Sequence, residues 1–167
     1  VSAVGFEGAY DGKAHSITVT VTTPAEGAVV KYGITEGSYD LTENPTYTDV
    51  GTYTVYYQVT KEGYETTTGS AAVKISKATP TVTAPIAKEN LTYTGEAQEL
   101  INAGSTTGGE MQYSLDDDTY STNIPTGTEA KEYTVYYKVV GGTNYEDVAA
   151  ASIKVTISDA KMTVSAK

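Results

Sequence analysis

The sequence predicts an all-β protein built from two tandem sandwiches of similar size. Valine, threonine and tyrosine dominate in short runs, which glycine, proline and Asp/Asn clusters interrupt, and no stretch sustains an apolar period of 3.6 residues. A tyrosine-rich segment in the first half of the chain recurs in the second half. Turn signals separate strand-like runs about every 8–12 residues, which favours a seven-strand sandwich over a barrel for each copy.

The recurring segment is the strongest internal repeat. Residues 53–59 (YTVYYQV) recur as residues 133–139 (YTVYYKV), with six of seven positions identical and an offset of 133 − 53 = 80. Residues 10–14 (YDGKA) match residues 93–97 (YTGEA) at an offset of 83. Drifts of a few residues in the offset are typical of loop insertions between duplicated domains.

The repeat sets the predicted domain boundaries. The first sandwich covers residues 1–77 and the second covers residues 78–158, and the first copy lacks a full counterpart of the leading strand predicted at residues 79–83. Residues 155–164 resemble residues 73–82, so residues 159–167 are predicted to start a third repeat. The alternative is a trailing strand that completes the second unit.

Each strand follows from an alternation of apolar and polar positions, which is the period of a half-buried strand. In the repeated segment Tyr53, Val55, Tyr57 and Val59 share the inward face, which leaves Tyr56 on the outward face. The same alternation places Tyr137 inward and Tyr136 outward. The other predicted strands, in chain order, are residues 16–21, 29–33, 71–75, 111–114 and 153–157.

Composition excludes several classes of function. The chain carries 21 acidic residues against 11 lysines and no arginine, a net charge of −10, which is the wrong sign for binding nucleic acid. It has no cysteine, so packing and backbone pairing must hold the core without disulfides or thiolate-metal sites. No apolar run approaches the ~20 residues of a membrane span. Repulsion between negatively charged copies of the chain favours a monomer.

A tyrosine corner is predicted ahead of the repeated strand. Asp49, Gly51 and Tyr53 form an Asp-x-Gly-x-Tyr pattern that resembles the corner before strand F of immunoglobulin-like domains, where the tyrosine hydroxyl bonds to nearby backbone. The second copy keeps Tyr133 and an acidic residue but lacks the glycine. We therefore expect Tyr53 and Tyr133 to be half-buried at equivalent corners of two immunoglobulin-like sandwiches arranged end to end.

These motifs together resemble a known family. The Tyr-x-Gly opening at Tyr10 and Tyr93, the repeated strand, and the closing Gly-Tyr or Asn-Tyr at Tyr64 and Tyr145 are similar to bacterial immunoglobulin-like repeats of the MBG type. That family occurs in large cell-surface and adhesin-like proteins of Gram-positive Firmicutes. The resemblance implies an extracellular location at the cell surface or wall, and a spacer or adhesive array rather than an enzyme.

No residue pattern predicts catalysis, a cofactor or a metal. His15 aligns with Gln98, so a histidine site would exist in one copy only, and no triad spacing surrounds it. Asp116, Asp117 and Asp118 offer oxygens to calcium, but a turn between two strands explains the cluster as well.

Two further groups of side chains are candidates. Outward-facing Tyr56 and Tyr136 are the side chains suited to stacking on a sugar or docking a protein partner, and the alternative is that each covers the sheet surface. Lys31, Lys74 and Lys154 are the strand lysines that an intramolecular isopeptide bond would use, although alternation favours their exposure.

The preferred function is therefore a non-enzymatic structural spacer in a surface protein. One alternative is an adhesive module that binds host glycan or protein. Another is an accessory domain of a surface carbohydrate-active enzyme. The link at residues 76–80 (SKATP) is short and lacks glycine, which predicts an elongated pair of domains rather than a flexible tether.

Overall fold

A computed structural model describes residues 1–24 and 26–164. The described residues form strands and loops and contain no helix, which confirms the prediction of an all-β protein. It follows that this part of the chain has no helix of the length and apolarity needed to cross a membrane. The chain divides into two compact units, Val1–Ala78 and a second that begins at Thr79. This border lies one residue beyond the predicted end of the first domain at residue 77.

The described part of unit 1 contains six strands in two sheets. A four-stranded sheet has the order β2-β6-β5-β4, and a two-stranded sheet pairs β1 with β3. All neighbours are antiparallel except β2 and β6, which are parallel. The strands are β1 (Ser2–Val4), β2 (Phe6–Ala9), β3 (Thr18–Thr20), β4 (Val29–Gly33), β5 (Gly51–Thr60) and β6 (Thr67–Ser76).

The core of unit 1 follows the period of two along β5 and β6. Val55, Tyr57 and Val59 of β5 are buried, while the intervening side chains are more exposed. Val73 and Ile75 supply the buried face of β6, and β3 lies beside the buried Ile17. Valine and tyrosine suit these positions because β-branched and aromatic side chains pack well on a pleated, half-buried surface.

The described part of unit 2 contains ten strands, eight of which have five residues or fewer. Its four-stranded sheet has the order β13-β15-β16-β9, and three two-stranded pairings join β7 with β12, β8 with β11 and β10 with β14. The strands are β7 (Val82–Thr83), β8 (Ile86–Ala87), β9 (Leu91–Thr92), β10 (Gln98–Glu99), β11 (Ile101–Asn102), β12 (Ser105–Thr106), β13 (Glu110–Ser114), β14 (Thr126–Gly127), β15 (Glu132–Val140) and β16 (Val148–Ser158).

The two four-stranded sheets match strand for strand. β4, β5, β6 and β2 of unit 1 correspond to β13, β15, β16 and β9 of unit 2, and in both sheets the last pair is parallel. The core of unit 2 is built on Val135 and Val155, with Leu100 and Ile101 facing them. The repeat in the sequence is therefore a repeat of sheet order as well.

The two units differ at their ends. Unit 2 has two short strands ahead of β9, of which β8 matches β1 at the offset of 83, and β7 has no counterpart in the described part of unit 1. After Ser158, residues 159–164 form no strand. The predicted third repeat or trailing strand at residues 159–167 extends into residues 165–167, which lie outside the described residues.

Of the two equivalent inward tyrosines, Tyr137 of unit 2 is less buried than Tyr57 of unit 1. Tyr57 is only 7% exposed and faces Gly69 across the strands, where a methyl group would lie 2.5 Å from the tyrosine hydroxyl oxygen. Tyr137 faces Ala151 instead and is half-buried. In unit 2 the methyl group of Ala151 occupies the space that Gly69 leaves open in unit 1. The Tyr137 side chain is therefore less buried than that of Tyr57.

Candidate functional site

The predicted corner of unit 1 is formed by a hydrogen bond from side chain to backbone. The half-buried Tyr53, at the start of β5, donates its hydroxyl to the carbonyl oxygen of Asp49 at 3.2 Å and lies 3.5 Å from that of Val50. Gly51 lies under the ring, because a methyl group there would be 2.8 Å from Cζ of Tyr53. Gly51 is thus required by the close approach of this ring to the backbone.

The corner of unit 2 makes the same bond with different neighbours. The hydroxyl of Tyr133 donates to the carbonyl oxygen of Glu129 at 3.0 Å and accepts from the Glu129 backbone N–H, also at 3.0 Å. The position equivalent to Gly51 is Lys131, whose Nζ lies 5.0 Å from the centroid of the Tyr133 ring. An ammonium near an aromatic face is a favourable electrostatic contact.

A glycine also lies against the ring of the second corner. Gly127 of β14 is buried, and a methyl group there would lie 2.6 Å from Cζ of Tyr133. Its equivalent in unit 1 is Tyr47, at the offset of 80, and Tyr47 stacks on Tyr53 with ring centroids 4.0 Å apart. In unit 1 the corner ring therefore lies against Gly51 and Tyr47, whereas in unit 2 the equivalent positions hold Lys131 and Gly127. The aligned pair of Tyr47 and Gly127 was the signal for this in the sequence.

The outward tyrosines Tyr56 and Tyr136 are half-buried rather than exposed. Tyr56 lies between Gly33 and Ser70 in the sheet, and Tyr136 lies between Ser114 and Ser152. Their neighbours across the strands are small, so each ring can lie over the sheet surface. This placement matches the interpretation in which the ring covers the sheet.

Unit 2 adds a second tyrosine beside Tyr136. The ring of Tyr120 lies 3.9 Å below Nζ of Lys138, and its hydroxyl donates to a carboxylate oxygen of Asp117. Burial, together with the Asp117 carboxylate and a smaller contribution from Tyr136, raises the pKa of Tyr120 to about 12. We call Tyr120, Tyr136, Lys138 and Asp117 the Tyr120 cluster. The sequence analysis did not predict this cluster.

The aspartate cluster forms a tight turn. The Asp116 carboxylate accepts from the Ser114 hydroxyl at 2.6 Å and from the backbone N–H groups of Asp118 and Thr119 at 3.0 and 2.8 Å. These bonds, led by the one from Ser114, lower the pKa of Asp116 to about 2. Asp117 adopts a positive φ of 61°, which an aspartate in a turn tolerates. All three bonds end on the same oxygen, Oδ1 of Asp116, which is therefore engaged within the turn.

An open cavity of about 340 Å³ borders this turn. Its lining includes the polar residues Ser114, Asp116 and Thr119 and the apolar residues Ile124 and Pro125. Within residues 1–24 and 26–164, no three His, Cys, Asp or Glu side chains are grouped so that they could hold a metal ion. The cavity therefore offers a shallow surface with hydroxyl and apolar contacts.

His15 takes part in a local cluster of unit 1. Its Nε2 lies 2.9 Å from a carboxylate oxygen of Asp11, and its ring stacks on Phe6 with centroids 3.6 Å apart. The bond to His15, followed by the backbone N–H of Lys13, lowers the pKa of Asp11. Through its backbone His15 also pairs with Tyr47. The imidazole thus contributes to packing at this end of unit 1.

The strand lysines point into solvent, as alternation predicts. Lys31 is exposed; Nζ of Lys74 lies 3.7 Å from Glu7, and that of Lys154 lies 2.7 Å from Glu132. The side chains of Lys74 and Lys154 are 55% and 69% exposed. These are surface ion pairs between solvent-exposed side chains, which contribute little to stability.

Comparison with known proteins identifies no relative that would assign a ligand to any of these groups: no family model matches the sequence, and no curated protein matches it.

Proposed function

We propose that the chain is a pair of tandem immunoglobulin-like sandwiches that serve as a non-enzymatic spacer in an extracellular bacterial surface protein, as repeats of the MBG type do. The proposal rests on a contrast between the backbone architecture, which the two units share, and their distinctive side chains, which they do not share. The two units share the order of the four-stranded sheet and the corner hydrogen bond, while the chemically distinctive side chains differ between them. A spacer requires only the shared sheet order and the shared corner hydrogen bond.

The immunoglobulin-like assignment rests on the sheet and the corner. Tyr53 and Tyr133 each bond to backbone four residues upstream at the start of β5 and β15. A tyrosine in this place is typical of the strand that begins after the corner of such sandwiches. Two sheets with a core between their inner faces are the architecture in which that corner is found.

The side chains that differ argue against a repeated site. His15 is replaced by Gln98, and the turn at Asp116 has no aspartate cluster at the matching position of unit 1, residues 34–37 (ITEG). The Tyr120 cluster uses Lys138, where unit 1 has Gln58. A function common to both copies must therefore reside in the scaffold.

The spacer proposal includes an end-to-end arrangement of the two sandwiches, which the link at residues 76–80 supports because it is short and contains no glycine. Small-angle X-ray scattering of the whole chain tests it. The expected result is a pair-distance distribution with two maxima and a long tail. A single symmetric maximum, typical of a compact globule, would contradict the proposal. A variant with a Gly/Ser insertion after Lys77 provides the control, since a flexible link broadens the distribution.

A second candidate function is adhesion through the Tyr120 cluster. Two half-buried tyrosines, a lysine and an aspartate on one surface of unit 2 provide stacking, a positive charge and an acceptor, which suit a sugar or a peptide. A glycan array with the intact chain tests this, followed by Tyr136→Ala and by Tyr56→Ala as the matched variant in unit 1. Binding that Tyr136→Ala abolishes would favour adhesion; an array without bound glycan favours the spacer.

A further inference from the structure

Each unit pairs a strand near its beginning with its last strand, at the parallel edge of its four-stranded sheet. In unit 1 the edge pair is β2 with β6, and in unit 2 it is β9 with the end of β16. β2 and β9 lie near the beginning of their units, whereas β6 and β16 end them. Tension that enters at one end of a unit and leaves at the other therefore passes through this pair.

Parallel pairing determines how such tension acts. The start of the first strand and the end of the last strand lie at opposite ends of a parallel pair, so tension pulls the two strands along their axes in opposite directions. All hydrogen bonds of the pair are then strained together instead of breaking one after another. Forced unfolding is governed by the unfolding rate, so the number of bonds strained together sets the resistance.

The two edge pairs differ in length. In unit 1 four residues of each strand are in register, from Phe6 opposite Val73 to Ala9 opposite Ser76. In unit 2 only Leu91 and Thr92 are in register with β16. Both pairs finish alike, because Tyr10 N–H donates to the Ser76 carbonyl and Tyr93 N–H donates to the Ser158 carbonyl, each at 2.8 Å. The difference therefore lies where the pairs begin.

A glycine explains the earlier start in unit 1. At Gly5 the backbone passes so close to β6 that a methyl group would lie 2.0 Å from the Ala72 carbonyl oxygen, and β2 pairs from the next residue. The equivalent residue in unit 2 is Lys88, whose N–H still donates to Leu100 outside the four-stranded sheet. The chain reaches β16 only after Asn90, which has a positive φ of 58°.

We propose that the two units resist tension unequally, with unit 2 yielding first and unit 1 holding to higher force. The difference arises from the four-residue edge pair in unit 1 and the two-residue edge pair in unit 2. Detachment of β1, β7 or β8 leaves the edge pair of its unit in place. The biological meaning of this gradation rests on the proposed spacer function, in which the chain transmits tension at a cell surface.

Single-molecule force spectroscopy of the whole chain, held by its two ends, tests the ranking. Because the chain has no cysteine, a disulfide can lock either edge pair. Glu7→Cys with Lys74→Cys joins exposed register partners in unit 1, and Thr92→Cys with Ser158→Cys does so in unit 2. Each lock removes 74 − 7 = 67 or 158 − 92 = 66 residues from the extension, about 20 nm in either case. Reductant restores it.

The event that remains in each locked variant belongs to the other unit. The unlocked unit 1 is expected to open at higher force than the unlocked unit 2. Equal forces, or the reverse order, would overturn the inference. That result would leave the spacer proposal intact, since scattering tests it separately; conversely, glycan binding would overturn the spacer and leave the ranking of forces standing.

A second pair of variants tests the edge pair itself. Tyr10→Pro removes both the side chain and the N–H that bonds to Ser76, whereas Tyr10→Ala removes the side chain alone. At a fixed force, unit 1 of Tyr10→Pro is expected to unfold about tenfold faster than that of Tyr10→Ala. Equal rates would overturn the inference. Tyr93→Pro and Tyr93→Ala give the same comparison in unit 2.

Discussion

Tyr53 stacks on Tyr47 in nearly parallel planes, 9° apart, while its equivalent Tyr133 lies against Gly127, the residue that replaces Tyr47. The hydroxyl of each corner tyrosine nevertheless bonds to backbone four residues upstream. The hydrogen bond is thus retained although the surfaces that hold the ring differ. Burial beside Tyr53, and then the charge that Tyr53 itself can carry, raise the pKa of Tyr47.

Removing the corner hydroxyl should weaken both units, and unit 2 more than unit 1, because the Tyr133 hydroxyl both donates to and accepts from the Glu129 backbone. In Tyr53→Phe and Tyr133→Phe the rings still pack, but the bond to the carbonyl of Asp49 or Glu129 is lost. We expect the free energy of unfolding to fall by about 1 kcal/mol for each bond that is lost, the usual contribution of one such bond. Urea denaturation measures it. Tyr64→Phe, at a side chain that is 53% exposed, is the control, and an equal loss there would contradict the role of the corner.

Gly127→Ala should destabilise unit 2 through a clash with the Tyr133 ring. The added methyl group would lie 2.6 Å from Cζ, closer than packed carbon atoms approach. Overpacking of this kind costs about 1–3 kcal/mol in the free energy of unfolding. A double-mutant cycle with Tyr133→Ala isolates the contact. If Gly127→Ala costs as much when the ring is absent, the clash is not its cause.

The sequence predicted the sheet faces better than it predicted the surroundings of the corner. Val55 and Val135 are fully buried because the period of two is a property of the strand itself. The exchange of Tyr47 for Gly127 occurs only six residues before each corner tyrosine, but the period of the strand does not determine which loop side chain packs against the ring. The lysine at position 131 is accommodated because the glycine beside the ring lies at position 127 instead. Likewise, the pairing of Lys138 with Tyr120 depends on how residues 115–121 fold back over β15.

Asp116 should make unit 2 more stable above pH 4 than below it. Its pKa is lowered from 3.8 to about 2, so the folded state favours the carboxylate. The contribution is present above the unfolded pKa of 3.8 and is lost as the pH falls through about 2. Thermal unfolding between pH 5 and pH 2, about the range that these two pKa values span, should show a smaller acid dependence for Asp116→Asn than for the unaltered chain. Asp118→Asn is the matched control, and an unchanged dependence in Asp116→Asn would refute the prediction.

Tyr120 should ionise at a higher pH than an unperturbed tyrosine. Its pKa is raised from 10.0 to about 12, so the neutral phenol is favoured in the folded state. The stability that this provides is complete below pH 10 and is lost as the pH rises through about 12. Ultraviolet absorbance should therefore show a late titration step, provided that the fold persists. Asp117→Asn removes the charged acceptor and should shift this step to lower pH, whereas Asp118→Asn should leave it in place. A step that Asp117→Asn does not move would show that the Asp117 carboxylate does not contribute to the shift.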